Sequence, residues 1–454
     1  MAKEKTKDMT VGAPTPILLS FMMPLLLGLL FQQVYSMVDT VVVGKFLGME
    51  ALAGVGSTGS ISFLVLGLCN GVCAGFAIPV AQKFGEKDFH GLRCFVGNMI
   101  WASSAIGLIV TLATTIGCRQ ILLAMHTPQD TFVYAYDYIF LIFAGIPATM
   151  LYNLLSGILR SLGDSRTPLL FLIFSSILNV VLDVVCVVTF RMGVAGAGWA
   201  TLISQLVSGL LCLWYMAKKF PILHLHRENL RPDGYYLRRL LIMGLPMGLQ
   251  YSITAIGSIV LQTAVNGLGA VAMAAVAAAN KVSCLFTTPY DAMGTMAATF
   301  AGQNLGAGKP ERIRQGVRAC TWMGIAYSLA AFVALYFIGG EMSTLFLDGN
   351  DTASSDAIVP LAQQLLTIWG AFFIPLLFVN LLRFTIQGLG YSNLAVIAGV
   401  FEMIARAVVA MLVPMLGFTA VCYASPAAWI LADVFLFPAY AACMKRRSRE
   451  LGKS

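Results

Sequence analysis

The chain has 454 residues, of which 58% are hydrophobic and only 11% charged, and it carries a formal net charge of +8. That composition excludes an ordinary soluble domain, which is less apolar and about a quarter charged. The basic excess forms no single patch interleaved with aromatic residues, so a nucleic-acid partner is not expected.

A membrane-spanning helix needs roughly 20 mostly apolar residues. In chain order, segments of this kind run over 16–43, 52–83, 93–117, 131–159, 167–190, 195–217, 238–266, 270–303, 311–338, 357–387, 391–413 and 417–443. The charged start "MAKEKTKDMT" precedes an apolar run too long for a signal h-region, so this run is expected to be retained as the first helix. Lys and Arg concentrate on the cytoplasmic side of membrane proteins. Lys45, Arg119 and Arg191 fall outside, and Lys281, Arg383 and Arg406 lie within helices or at their ends. The other basic residues, including "KK" at 218, "RR" at 238 and the tail "KRRSRE", share the opposite face, which places both termini in the cytoplasm. The loop over 340–356 carries Glu341, Asp348, Asp351 and Asp356 without a cation and suits the outside.

The ten cysteines lie mostly inside the apolar segments without CxxC spacing and read as small packing residues. The four histidines, His90, His126, His224 and His226, fall in loops. No metal centre and no organic cofactor are expected.

An internal repeat organises the chain. "AQKFGEKDFHGLR" (81–93) matches "GQNLGAGKPERIR" (302–314), pairing Gln82 with Gln303, Gly85 with Gly306 and Arg93 with Arg314. "IPATMLYNLLSGILRSLGDS" (146–165) matches "IPLLFVNLLRFTIQGLGYSN" (374–393), pairing Asn153 with Asn380 and Gly163 with Gly390. Pro24 and Pro246 correspond near the starts of helices one and seven. Six helices per copy is an even number, so both copies enter from the same side, related by a pseudo-two-fold along the membrane normal. The expectation is an all-α integral membrane protein: an amino-terminal lobe over 1–217, a cytoplasmic connector over 218–237 with a short interfacial helix, and a carboxy-terminal lobe over 238–454. Two lobes around a cleft describe a transporter that rocks between two openings.

Asp39, in "QQVYSMVDTVVVG", is a carboxylate in a run otherwise fit for lipid, where ionisable groups are costly and mark function by default. Gln32, Tyr35 and Asp39 share one helical face, as do Asn179 and Asp183 in "SSILNVVLDVV". At 1.5 Å per residue, Asp39 lies about 35 Å from Pro16, Asp183 about 24 Å from Thr167, and Thr201 about 12 Å from Gly193 on the returning helix. All three fall in the outer half of the membrane and could form one site of hard oxygen ligands. Two close carboxylates there would share a proton or hold a cation, since both cannot stay charged and unpaired. An interfacial Asp39 solvated by headgroups is the plain alternative. Asn179 and Asn153 could equally be polar glue between helices, with Asn153, Gln32 and Tyr35 also candidates for the cleft lining.

The segments "PLLLGLLFQQVYSMVDTVVVGKFLGMEALAGVG", "LRSLGDSRTP", "NVVLD" and "AGQNLGAGKPERIR" resemble the multidrug and toxic compound extrusion (MATE) transporters over essentially the whole length. The resemblance implies export of organic cations and related amphiphiles in exchange for inward proton or sodium movement. It also implies twelve helices in two lobes, with the ion site in the amino-terminal lobe. Asp39, Asn179, Asp183 and Thr201 match the family's ion-site positions, and Pro24 matches a helix-one proline whose neighbourhood bends in some relatives.

The carboxylate pair is not duplicated. Asp39 lies over Gln262, Asn179 over Arg406 and Asp183 over Ala410. Glu402 and Arg406 are four apart and can pair within their helix, or else touch substrate or a gate. Lys281 and Asp291 are too far apart along one helix to pair, so each needs another partner or water in the cleft. No Walker pattern suggests ATP drive, and no Ser/His/Asp or HExxH constellation suggests an enzyme. The rivals are a flippase for a lipid-linked or anionic amphiphile, drawn to the basic residues of the second lobe, and a channel or scaffold indifferent to Asp39 and Asp183. The expected protein is a monomer in the plasma membrane, with small amphiphilic substrates and the lipid bilayer as its partners.

Overall fold

The computed structural model describes residues 7–125, 127–346 and 352–451, so Asp348, Asp351, His126 and the first six residues of the charged start lie outside the described residues. The described chain is helical throughout: α1 (Pro14–Leu47), α2 (Met49–Ser57), α3 (Gly59–Glu86), α4 (Phe89–Ile116), α5 (Cys118–Ala124), α6 (Gln129–Ala144), α7 (Ile146–Ser161), α8 (Arg166–Val184), α9 (Val194–Lys219), α10 (Gly234–Asn266), α11 (Ala270–Gly306), α12 (Pro310–Thr344), α13 (Thr352–Ala371), α14 (Phe373–Gly388), α15 (Ser392–Leu416) and α16 (Phe418–Leu451). Ten spans are long and apolar enough to cross a membrane, and there are up to twelve if the bent pairs α6–α7 (45°) and α13–α14 (53°) each count as one. Both bends fall just before an Ile-Pro step, Ile146-Pro147 and Ile374-Pro375, where proline removes a backbone donor. α1 continues through Pro24. The expected interfacial helix of the connector is a single 3₁₀ turn, Pro221–Leu223, and α10 begins at Gly234.

The duplication is written into the backbone at its turns. Gly48 and Gly269 have φ +88° and +94°, Gly163 and Gly390 +83° and +93°, and Gly193 and Gly417 both +62°. These left-handed positions favour glycine, and each pair ends or begins the same helix in its copy. At a fourth pair Gly308 (φ +68°) faces a non-glycine, Lys87 (φ +58°).

The helices cluster into two compact units, residues 1–11 with 20–252, and 12–19 with 253–454. The division falls inside α10. Its first half belongs with α3, because Gly71 and Gly75 on one face of α3 meet Gly248 and Gly244, and Gly67 on the same face meets Tyr251. A Cβ on Gly71 would stand 2.7 Å from the Gly248 Cα. Small residues at four-residue spacing let helix backbones touch in this way. The core of the first unit runs through Phe76, Phe95, Met99, Ile139, Phe143 and Leu159.

Candidate functional site

In the first unit three helices each place a polar residue one turn from an apolar one. Val43 on α1, Val187 in the π-helical turn Val185–Thr189 that extends α8, and Ala197 on α9 pack in one cluster with Ala51 and Val194. Four residues from each stand Asp39, Asp183 and Thr201. The i, i+4 relation stacks side chains on one face, so a polar layer lies directly beneath an apolar plug. The π turn begins just after Asp183, and such turns re-aim side chains locally. Gly196 allows it, since a Cβ there would stand 3.1 Å from the Cys186 carbonyl carbon.

Within this layer the carboxyls of Asp39 and Asp183 lie within hydrogen-bonding reach of one another. Asp183 is fully buried and Asn179 is 1% exposed. Neither carboxylate can donate to the other; Asp39 Oδ1, both Asp183 oxygens, and the Asn179 amide as both donor and acceptor are without a hydrogen-bond partner among the described residues. Leaving buried acceptors unmatched costs about 1–3 kcal/mol each, and more when they are charged. A proton between the carboxyls, or a small cation facing these oxygens, removes that cost. Tyr35 and Tyr138 stand within electrostatic range of both acids.

A small cavity of about 80 Å³ adjoins this layer, lined among others by Gln32, Tyr35, Asn70, Asn153, Thr201 and Gln205. Tyr35 links the two, because it lines the cavity and stands within electrostatic range of both acids. The cavity is far below the 300–1,000 Å³ of a drug-sized pocket, and its size suits waters or one small cation. Asn70 Oδ1 and Gln205 Oε1 are unpartnered acceptors beside it. Thr201 donates to Ala197 O (3.0 Å) and Asn153 to Thr149 O (2.9 Å), both within their own helices, so each keeps oxygen lone pairs for the cavity.

The structure thus brings Asp39 and Asp183 together with Asn179 close by along α8, and gathers Gln32, Tyr35, Asn153 and Thr201 around the cavity. It places Lys281, Asp291, Glu402 and Arg406 elsewhere, in the second unit. Lys281 and Asp291 are exposed on α11. Glu402 is buried between two guanidiniums: it accepts from Arg383 and, at 3.3 Å, from Arg406 on its own helix. Asp433 and Asp291 stand within electrostatic range of Arg383. Tyr138, Asn70, Gln205 and Asp433 are absent from the sequence expectation. The tyrosine-rich "YAYDYIF" of α6 was the available signal for Tyr138. Among the described residues no three His, Cys, Asp or Glu side chains converge to hold a metal ion.

A helical membrane fold with an acidic pair, Asp183 buried and Asp39 half-buried, defines the class as a multi-pass membrane protein. The family model described as MatE matches residues 24–185 and again 246–412, once in each copy of the repeat. The chain belongs to this family of multidrug efflux transporters. It is 28% identical to the "Probable multidrug resistance protein YoeA" of Bacillus subtilis, over 73% of each chain. It is also 28% identical to the "Probable multidrug resistance protein YpnP" of the same organism, over 83% of this chain and 82% of that one. A crystal structure of a MATE protein in complex with MaL6 shares the fold at a TM-score of 0.89 and 22% identity, covering 99% of this chain and all of that one.

Proposed function

We propose that the protein exports amphiphilic, mostly cationic organic compounds by alternating access, exchanging them for protons or sodium ions carried at Asp39 and Asp183. The observation that carries this reading is the pair of facing carboxyls, Asp183 buried and Asp39 half-buried, with the unpartnered Asn179 amide and an apolar layer one turn away. Asn179 and Thr201 supply further oxygens, and Tyr35 ties the pair to the cavity. Proton is favoured over sodium, because two facing carboxyls retain one proton without a full coordination shell. Substrate enters the inward-facing cleft and the protein turns outward; the ion then loads the pair, substrate leaves, and the loaded state returns. The cycle turns only because the ion and the substrate bind the two states unequally. Pro24 serves as the hinge of α1, and Lys281 and Asp291 contact substrate.

The protein acts as a monomer in the plasma membrane with both termini cytoplasmic, and it is not an enzyme. The flippase alternative draws less support, since two of the three cations it would need, Arg383 and Arg406, are engaged by Glu402, which leaves Lys281. The test is efflux of a fluorescent organic cation from reconstituted vesicles under a separate pH or sodium gradient, with wild type, Asp39→Asn and Asp183→Asn. One gradient is expected to drive efflux, and both variants to abolish the drive. Undiminished gradient-driven efflux in the variants refutes the reading.

A further inference from the structure

The offset that pairs Arg93 with Arg314 also pairs Gly97 with Arg318 and Trp101 with Trp322 on α4 and α12. On α4 the connector caps this face, although the Trp101 ring itself stays 52% exposed. The connector passes so close to Gly97 that a Cβ would overlap the Asn229 carbonyl. Trp101 Nε1 donates to Leu230 O at 2.8 Å, and Asp233 N donates to Asn98 Oδ1 at 2.9 Å. On α12 the same face is uncovered among the described residues. Trp322 is 64% exposed, and neither its indole N–H nor the Arg318 guanidinium has a hydrogen-bond or ion-pair partner among the described residues. Instead α12 and α16 bound a groove of about 610 Å³, lined by Arg314, Val317, Arg318, Trp322, Tyr440 and Met444 among others.

The groove's depth in the membrane can be read from the sequence. Ala319 to Gly340 is free of charge and spans about 33 Å at helical rise, enough for the hydrocarbon core. Arg318 is therefore the last charge outside the hydrocarbon. Trp322 lies one turn inside, at the level where aromatic residues border headgroups. On α16, Met444 is followed at once by Lys445, Arg446 and Arg447. The upper groove is cationic and the lower groove apolar. Arg314 is shared with Glu311, so among the described residues that line the groove Arg318 is the cation without an ion-pair partner.

We propose that this groove binds the headgroup of an anionic phospholipid. The phosphate sits between Arg314 and Arg318, the Trp322 indole donates to it, and the acyl chains lie along Val317, Tyr440 and Met444. Basic pockets between membrane helices recognise acidic lipids through this charge complementarity. Only the leaflet, the cytoplasmic one, rests on the topology proposed above. The second copy thus takes from the membrane the acceptor that the connector supplies in the first.

The test is native mass spectrometry of the full chain in non-ionic detergent, titrated with phosphatidylglycerol or with phosphatidylcholine of the same acyl chains. One phosphatidylglycerol is expected to be retained in preference to phosphatidylcholine. Arg318→Gln is expected to weaken it roughly fivefold, as for one lost cation at a membrane surface. Trp322→Phe, which keeps the ring and removes the N–H, weakens it less but measurably. Arg449→Gln, at the same end of the second unit but outside the groove, leaves it unchanged. The proposal is overturned if the two lipids bind alike, if Arg449→Gln weakens binding as much as Arg318→Gln, or if millimolar inorganic phosphate displaces the lipid. Should Arg318→Gln fail to fold, Trp322→Phe decides alone, and unchanged binding there overturns the site. None of these measurements requires transport, so failure of the export reading leaves them interpretable.

Discussion

The two copies of the repeat keep the same turns and bury opposite kinds of polar chemistry. In the first, Asp39, Asn179 and Asp183 hold oxygens that no described residue satisfies. In the second, the position aligned with Asn179 is Arg406, and its charge is met by Glu402, which also holds Arg383. One copy carries an acidic pair with no counter-charge, suited to an exchangeable ion; the other carries charges paired with one another, with Arg406 Nη1 left without a partner among the described residues, suited to holding helices together. Duplication preserved what the chain needs to fold, the left-handed turns, and released the buried polar positions to diverge.

That contrast predicts opposite phenotypes. Asp39→Asn or Asp183→Asn should reduce gradient-driven efflux to the level of empty vesicles. Neither should lower the unfolding midpoint in detergent, because a neutral amide removes an unmatched charge. Glu402→Gln should do the reverse to stability and cost about 3–5 kcal/mol, since it removes the ion-pair partner of two buried guanidiniums and leaves only Arg383 with other acids, Asp433 and Asp291, within electrostatic range. Exchanging Glu402, Arg383 and Arg406 together for apolar residues of similar volume should recover much of that loss. If Glu402→Gln unfolds no more readily than wild type, the second network is not structural and the contrast fails.

The membrane segments were legible because hydrocarbon demands an unbroken apolar run, and no other environment does. Their ends were less so. The segment expected over 417–443 runs as α16 to Leu451, because helix-favouring polar residues extend a helix beyond lipid at no cost in desolvation; that expected over 311–338 reaches Thr344 as α12 although its last residues include Gly339 and Gly340. Asp39 and Asp183 announced themselves as carboxylates in apolar runs. Tyr138, Asn70 and Gln205 did not, because a tyrosine or amide in a membrane helix is unremarkable until a neighbouring helix brings it to a site. Arg383 was visible as a charge, yet its link to Glu402 joins α14 to α15 and no helical spacing encodes it.

The covering of Gly97 gives a smaller test of the same divergence. Gly97→Ala inside a helix would ordinarily add about 1 kcal/mol through propensity. Here the added methyl meets the Asn229 carbonyl, and overpacking of that kind costs about 1–3 kcal/mol. A net loss near 1 kcal/mol is expected, with faster tryptic cleavage at Arg227 and Arg231 as the connector lifts. Arg318→Ala at the equivalent position meets no covering chain and should change stability by no more than about 0.5 kcal/mol.

The smallest effect belongs to the turn where the copies differ in residue but not in shape. After α3, Lys87 N donates to Phe84 O and Asp88 N to Lys83 O; after α11, Gly308 N donates to Leu305 O and Lys309 N to Asn304 O. Both are the paired closing bonds of a helix that ends in a left-handed residue. Holding a lysine there costs about 1–2 kcal/mol in backbone strain, while glycine gives up about 0.5–1 kcal/mol of extra chain entropy on folding. The difference favours glycine, so Lys87→Gly should raise stability by about 0.5 kcal/mol and Gly308→Lys should lower it by a similar amount. Opposite shifts of the unfolding midpoint in the two variants would show that the copies share one turn geometry. Shifts of the same sign would mean that the lysine side chain itself is needed where the first copy keeps it.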